Sequence, residues 1–282
     1  MTDPIYYVNG QFVPAPQARI PATDLGLLRG FGVFESLRTY EGRIFRLYDH
    51  LSRLEHSASL IGLDLPCGRD ELAAAIRQTL DRNEFPETTL RALVTGGSAS
   101  DGISMEGDKP NLLVMASLLK PYPDGCYENG IRAATSEVER FLPEAKTLFY
   151  LPGLLALRAA LRADPQVNEV LLVNRRGLVT EGVISNLFLV RGGVLVTPGR
   201  EVLPGITRKS ILELAAGAME VEARDVHRSE LGEADEIFLT GTVRGVMPVS
   251  ALDGRAVGDG RCGPVTRRLQ EAFTRLTRGS NL

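Results

Sequence analysis

The sequence predicts an α+β protein in two parts, a smaller N-terminal domain and a larger, strand-rich C-terminal one. Three observations lead there. Apolar residues recur at helical spacing in two early stretches, Tyr48 to Leu63 and Arg69 to Asn83. Elsewhere, short apolar runs bounded by Gly, Asn and Asp read as strands. Between the two regimes, Pro121-Tyr-Pro-Asp-Gly125 breaks the pattern. We therefore expect a small α/β domain over 1–120, a linker over 121–129 and a large domain over 130–282.

The elements follow in order. Ile5 to Pro14 holds two short apolar runs around Asn9-Gly10, a strong hairpin signal. Gly32–Tyr40 and Arg43–Leu47 flank Glu41-Gly42 as a second strand–turn–strand unit. The first helix carries Leu51, Leu54, Ala58 and Ile61 on one face and stops at Gly62; the second carries Leu72, Ala75, Ile76 and Leu80. Strands are expected at Leu90–Thr95 and Asn111–Leu118, around a polar loop. Beyond the boundary, strands are expected near Gly130–Thr135, Val170–Val173, Asn186–Val190, Gly193–Thr197 and Glu236–Thr240. Helices are expected at Gly153–Arg162, Thr207–Gly217 and Pro264–Arg275.

Composition removes several function classes. The net charge of -3, without a basic stripe, leaves no footprint for nucleic acid. Cys67, Cys126 and Cys262 are far apart and form no CxxC pair, so neither a disulfide framework nor a metal site is expected. No signal-like segment or bilayer-length apolar run is visible, and we expect a cytoplasmic protein with no membrane partner. Only Lys109, Lys120, Lys146 and Lys209 are lysines, which leaves few candidates for amine chemistry.

Among these, Lys146 lies in the largely apolar, aromatic stretch Glu144 to Pro152, just before a helix. Burial there would favour the neutral amine, a nucleophile toward aldehydes; the same lysine also fits a chain snorkelling from a strand end. Leu203-Pro-Gly-Ile-Thr-Arg-Lys209 suggests an anion cradle, with Gly205 permitting close approach and the Ile206 and Thr207 amides opening a helix. A plain helix start reads the same way. Thr240-Gly241-Thr242 after a strand is a second cradle or a tight turn. Glu181, beside Gly182, is a turn residue or the partner of a buried cation. Arg53, one helical turn beyond His50, is a surface arginine or a phosphate clamp.

Taken together, in order and spacing, these segments resemble the class IV aminotransferases, the fold-type-IV family of pyridoxal-phosphate enzymes. That family includes branched-chain and D-amino-acid aminotransferases and aminodeoxychorismate lyases. The resemblance runs through Val8-Asn-Gly, Gly32-Val-Phe-Glu-Ser-Leu-Arg38, His50–Leu54, Lys146, Val179–Phe188, Leu203–Arg208, Ala234–Thr242 and Gly263-Pro-Val265. It implies pyridoxal 5'-phosphate joined to Lys146 as a Schiff base, with Lys146 also moving the proton between Cα and C4′. Glu181 would pair with the pyridine nitrogen, and Asn186 would support its loop. Arg53, Ile206, Thr207 and Thr242 would form the phosphate cup with Gly205 and Gly241; Leu203 would pack on the ring and Tyr150 lie near its phenolic oxygen. The resemblance further implies a large domain with a β-barrel-like sheet, a homodimer, and ping-pong transfer between a small-molecule amino acid and a 2-oxo acid.

Substrate choice is where this chain departs from the pattern. The strand Leu90 to Gly97 lacks the tyrosine of the Tyr-x-Arg motif usual in branched-chain enzymes. It also lacks the arginine and histidine usual after its threonine in D-amino-acid enzymes, having Gly96 and Gly97 instead. Arg29 replaces a usual tyrosine and is either a substrate-carboxylate anchor or a solvated turn residue. Phe34 and Val243 are expected to line the substrate pocket, and Arg244 to face substrate or a neighbouring acid. We expect a hydrophobic or branched L-amino acid as donor, with a D-amino acid or aminodeoxychorismate as the alternatives.

Overall fold

The structure, a computed structural model, describes residues 3–104 and 109–279. Within them the chain forms two compact units. Residues up to Lys120 join Ala145–Phe149 in the first; Pro121–Glu144 and the chain from Tyr150 onward make the second.

The first unit contains β1 (Ile5–Val8), β2 (Gln11–Pro14), α1 (Leu25–Arg29), β3 (Gly32–Tyr40), β4 (Arg43–Ile44), α2 (Leu47–Leu60), α3 (Arg69–Asp81), β5 (Thr88–Thr95) and β6 (Asn111–Leu118). Its sheet runs β2-β1-β6-β5-β3-β4. Alternation sets the core: along β3, Val33, Glu35, Leu37 and Thr39 are buried, while Phe34, Ser36, Arg38 and Tyr40 lie half-exposed on the other face. The buried face meets Leu51 and Leu54 of α2 and Leu72 and Ile76 of α3 in one apolar cluster. Truncating one such side chain, as in Leu54→Ala, costs roughly 2–5 kcal/mol.

The stretch expected as a linker, 121–129, instead holds α4 (Asp124–Asn129) and belongs to the second unit, where Cys126 and Tyr127 pack against the core. Its Pro-Asp-Gly composition, which reads as a break, opens this helix with Asp124 in the first turn. The unit continues with β7 (Ile131–Glu137), α5 (Leu151–Ala163), β8 (Val167–Val173), β9 (Leu178–Gly182), β10 (Asn186–Arg191), β11 (Val194–Pro198), α6 (Ile206–Ala215), β12 (Val221–Arg224) and β13 (Val226–His227). It ends with β14 (Glu236–Gly241), β15 (Gly245–Leu252), β16 (Arg255–Ala256) and α7 (Pro264–Arg278).

The strand order is β12-β11-β10-β14-β15-β7-β8-β9-β13, with β16 on β15. The two end strands, β12 and β13, are separated in sequence only by Asp225. The sheet must therefore curl until its edges meet, which makes it barrel-like. Leu187, Leu189, Ile237, Leu239, Met247 and Val249 fill one face. On the other, Phe188 and Phe238 pair across the strands with ring centroids 4.9 Å apart. No helix among the described residues is long and apolar enough to cross a membrane.

Candidate active site

In the first unit, Lys146 is carried by a short extension of the sheet. Phe34 N donates to Lys146 O at 2.9 Å and Leu148 N to Gly32 O at 3.0 Å, so residues 146–148 run antiparallel beside the start of β3. Close approach requires Gly32: a Cβ there would lie 2.6 Å from Val94 O and 2.8 Å from Leu148 Cδ1. The Lys146 amide donates to Ser57 Oγ at 3.0 Å. Its side chain is half-buried, with Nζ 4.5 Å from the centroid of the Phe34 ring.

Behind this segment is a buried ionic cluster. Arg53 clamps Glu35 with two bonds, Nε to Oε1 and Nη2 to Oε2, each 2.7 Å. His50 Nδ1 lies 2.7 Å from Glu35 Oε2. Burial alone would raise the Glu35 pKa, but the Arg53 charge and hydrogen bonds, with the His50 hydrogen bond, bring it down to about 2. For His50, burial lowers the pKa; the hydrogen bond and charge of Glu35 oppose this, while Arg53 and Lys146 add to it. The imidazole is therefore neutral at pH 7, and Nδ1–H donates to Glu35. Arg53, expected as a phosphate clamp, is thus itself held by a carboxylate that fixes its guanidinium plane.

These shifts have a consequence for acid stability. A histidine whose folded pKa is depressed favours the unfolded state once pH falls below the unfolded value, which binds the proton first. Unfolding temperature should drop as pH falls below about 6.5. His50→Asn, which keeps a donor but cannot titrate, should flatten that slope. Thermal denaturation across this range measures it, and equal slopes in both proteins would place the acid sensitivity elsewhere.

Arg29 ends α1 and is exposed, with Nη1 donating to Leu28 O at 3.0 Å. The short α1, not anticipated from periodicity, is held by buried Asp24. Its Oδ1 accepts from Gly26 N at 2.7 Å, and its Oδ2 from Thr95 Oγ1 and Asn111 Nδ2, both at 2.6 Å. A Cβ on Gly96 would come 2.3 Å from the Phe31 ring. That ring fills the space an arginine at this position would need, so no such anchor fits here. Arg91, which the sequence reading did not single out, is exposed on β5 with its guanidinium 5.7 Å from the Phe34 ring that also bears Lys146. Strand alternation, which puts Arg91 on the same face as Phe34, was the available signal.

In the second unit, Glu181 is the penultimate residue of β9, and a turn closed by Gly182 N to Ser185 O at 2.7 Å leads into β10. Its carboxylate is buried and hydrogen-bonded through both oxygens. Oε2 accepts from Asn186 Nδ2 at 3.0 Å and Leu203 N at 3.1 Å, and Oε1 accepts from Arg140 Nη1. Asn186 Nδ2 also donates to Leu203 O at 2.9 Å, so one amide ties Glu181 to the turn before α6. Gly205 caps α6, and a Cβ there would lie 1.8 Å from Asn186 Oδ1. No side chain caps this helix, so the amides of Ile206 and Thr207 have no side-chain acceptor.

Next to Asn186, directly across the ladder, is Thr240; its buried hydroxyl has no hydrogen-bond partner. Gly241, Thr242 and Val243 follow it at the strand end, half-buried. A buried carboxylate gripped by an arginine, an uncapped helix N-terminus and an orphaned hydroxyl suit a protonated heterocycle bearing a phosphate. Tyr150 is the residue before α5, and the Arg140 guanidinium lies 6.0 Å from its ring centroid. Of the two readings of Arg244, the structure favours the neighbouring acid. Arg244 Nη1 is 2.9 Å from buried Glu169, while Nε and Nη2 donate to Tyr122 Oη and Asn168 O. Three groups inside the second unit thus engage it, which turns it from substrate.

Comparison with known proteins agrees with this geometry. Residues 32–252 match the family model described as amino-transferase class IV. A putative branched-chain-amino-acid aminotransferase of Methanocaldococcus jannaschii is 36% identical over 276 residues, covering 95% of this chain and 94% of that protein. The branched-chain-amino-acid aminotransferase of Escherichia coli K12 is 34% identical, covering 97% of this chain and 93% of its own. The crystal structure of an Escherichia coli branched-chain aminotransferase superposes with a TM-score of 0.92 at 33% identity, covering 98% and 95% of the two chains. The T.th. branched-chain aminotransferase complexed with N-(5'-phosphopyridoxyl)-L-glutamate gives 0.90 at 32%, covering 98% and 94%. With the lysine-bearing strand, the buried carboxylate and the uncapped α6 in place, the chain belongs to the class IV aminotransferases, with the type IV fold, and is a pyridoxal-phosphate-dependent aminotransferase.

Proposed function

We propose that this enzyme moves the amino group of a hydrophobic or branched L-amino acid to a 2-oxo acid in a ping-pong cycle, with Lys146 as the cofactor-bound lysine. The observation that carries this reading is the buried Glu181 carboxylate, gripped by Arg140, Asn186 and the Leu203 amide. When bound, pyridoxal phosphate supplies an aldehyde for the amino group and an electron sink for the Cα electrons. Glu181 would pair with its ring nitrogen, and the Ile206 and Thr207 amides, Thr242 and Arg53 are the groups that would hold its phosphate. Lys146 Nζ would take up the proton from the substrate Cα and give it back, with the Phe34 ring, 4.5 Å from Nζ, steadying the ammonium in between. Arg91 and Arg29 are the candidate anchors for substrate carboxylates. The closed position at Gly96 favours L over D substrates, because it removes the arginine expected of D-specific relatives.

Half-reaction spectroscopy with leucine, L-alanine, D-alanine and D-glutamate tests the reading. Cofactor conversion by leucine supports it, whereas conversion by D-isomers alone sinks the L-specific version. A homodimer in the cytoplasm belongs to the same proposal, supported by α5, where Leu151, Leu154 and Leu155 are 57%, 52% and 55% exposed. Leu154→Glu should shift the protein toward monomer in light scattering; an unchanged mass would place the contact elsewhere.

A further inference from the structure

Arg140 lies between β7 and α5, in a loop with no periodic signal, yet it reaches two features of the proposed site, Glu181 and Tyr150, and is anchored in its own loop. Nη1 donates to Glu181 Oε1 and, at 3.0 Å, to Pro143 O, and the guanidinium lies 6.0 Å from the Tyr150 ring centroid. Oε2 of Glu181 accepts from two neutral donors, while Arg140 brings a charged donor to Oε1. A second cation acting on Glu181 is Arg208, whose own donors go to Thr197 Oγ1 at 3.1 Å and Pro198 O at 2.9 Å. A buried carboxylate without a cationic partner tends to take up a proton. A protonated Glu181 could no longer accept a pyridinium N–H as an anion.

We propose that Arg140 is the positioning residue for Glu181, fixing its carboxylate ionised and aimed, and thereby setting how firmly the cofactor is held and how its lysine linkage titrates. The inference rests on the cofactor reading above. Anchorage to the Pro143 carbonyl suits this task, because it fixes the guanidinium from its own loop rather than from the ligand. A purely structural ion pair, stapling this loop to β9, would affect melting and leave the spectrum unchanged.

The test uses the purified holoenzyme with Arg140→Met, Arg140→Gln and Glu181→Gln, reading cofactor release by dialysis and the pH titration of the visible absorbance band. Arg140→Met should release pyridoxal phosphate at least about tenfold faster, as loss of a hydrogen bond to a charged group implies, and should shift the titration. Arg140→Gln, which keeps a donor and is the milder change if the methionine variant does not fold, should move both in the same direction by less. Added to Glu181→Gln, the Arg140 change should have little further effect. Wild-type release and titration in the Arg140 variants would overturn the inference even if melting falls, as would full additivity with Glu181→Gln. If Glu181→Gln itself behaves as wild type, or Lys146→Ala keeps the visible band, the cofactor reading fails instead.

Discussion

Replacing Lys146 with alanine should reduce amino transfer by at least about 10⁴-fold, the combined loss of the proposed nucleophile and proton carrier. The fold should survive. Both hydrogen bonds that hold residue 146 in place use its backbone, the amide to Ser57 Oγ and the carbonyl from Phe34 N, and alanine keeps both. The change removes only the ammonium above the Phe34 ring, a contact worth about 0.5–1 kcal/mol when partly exposed. Melting temperature should therefore move by no more than a few degrees. Single-turnover assays with leucine, alongside the visible spectrum of the purified variant, measure the outcome. Activity within tenfold of wild type would remove Lys146 from the chemistry altogether.

Gly205→Ala should be nearly as damaging, by a different route. The φ of -66° at this position suits alanine, so backbone strain plays no part. The added methyl would sit 1.8 Å from Asn186 Oδ1, and the amide must leave. With it go the bonds to Glu181 and to Leu203 O, leaving buried polar groups unpaired at about 1–3 kcal/mol each. We expect a loss of roughly 2–5 kcal/mol in stability, together with poor cofactor retention. Gly232→Ala, with no atom near its methyl, is the neutral control. Asn186→Ala in the Gly205→Ala background should recover part of the stability, because it removes the clash. A double variant no more stable than Gly205→Ala would show that the clash lies elsewhere.

Much of the site was legible because its parts announce themselves locally. Asn9-Gly10, Gly32-Val-Phe-Glu35 and Leu203-Pro-Gly-Ile-Thr207 each encode a turn, a strand or a helix start within a few residues. Arg140 and the clamp on Arg53 were not, since each depends on a partner far along the chain: Glu181 lies 41 residues from Arg140, and Glu35 lies 18 from Arg53. No periodicity connects them. Strand β15 was missed for a local reason, since Pro248 argues against a strand. It is tolerated because β7 pairs with β15 only from Val249 onward, so the missing N–H is not needed on that side. The two-residue β13 and four-residue β12 are too short to carry a pattern, although between them they bring the edges of the sheet together.

The placement of Ala145–Phe149 in the first unit, with flanking chain in the second, also orders events during synthesis. Residues up to Lys120 emerge and begin to fold well before Lys146 leaves the ribosome. Until it does, the start of β3 keeps an unpaired edge at Gly32–Phe34, a template for pairing with another nascent chain. The peptide that completes this sheet also delivers the amine. A nascent chain stopped short of it would lack Lys146, the proposed nucleophile, and expose a sticky strand, so that amine and protection from aggregation arrive in the same five residues.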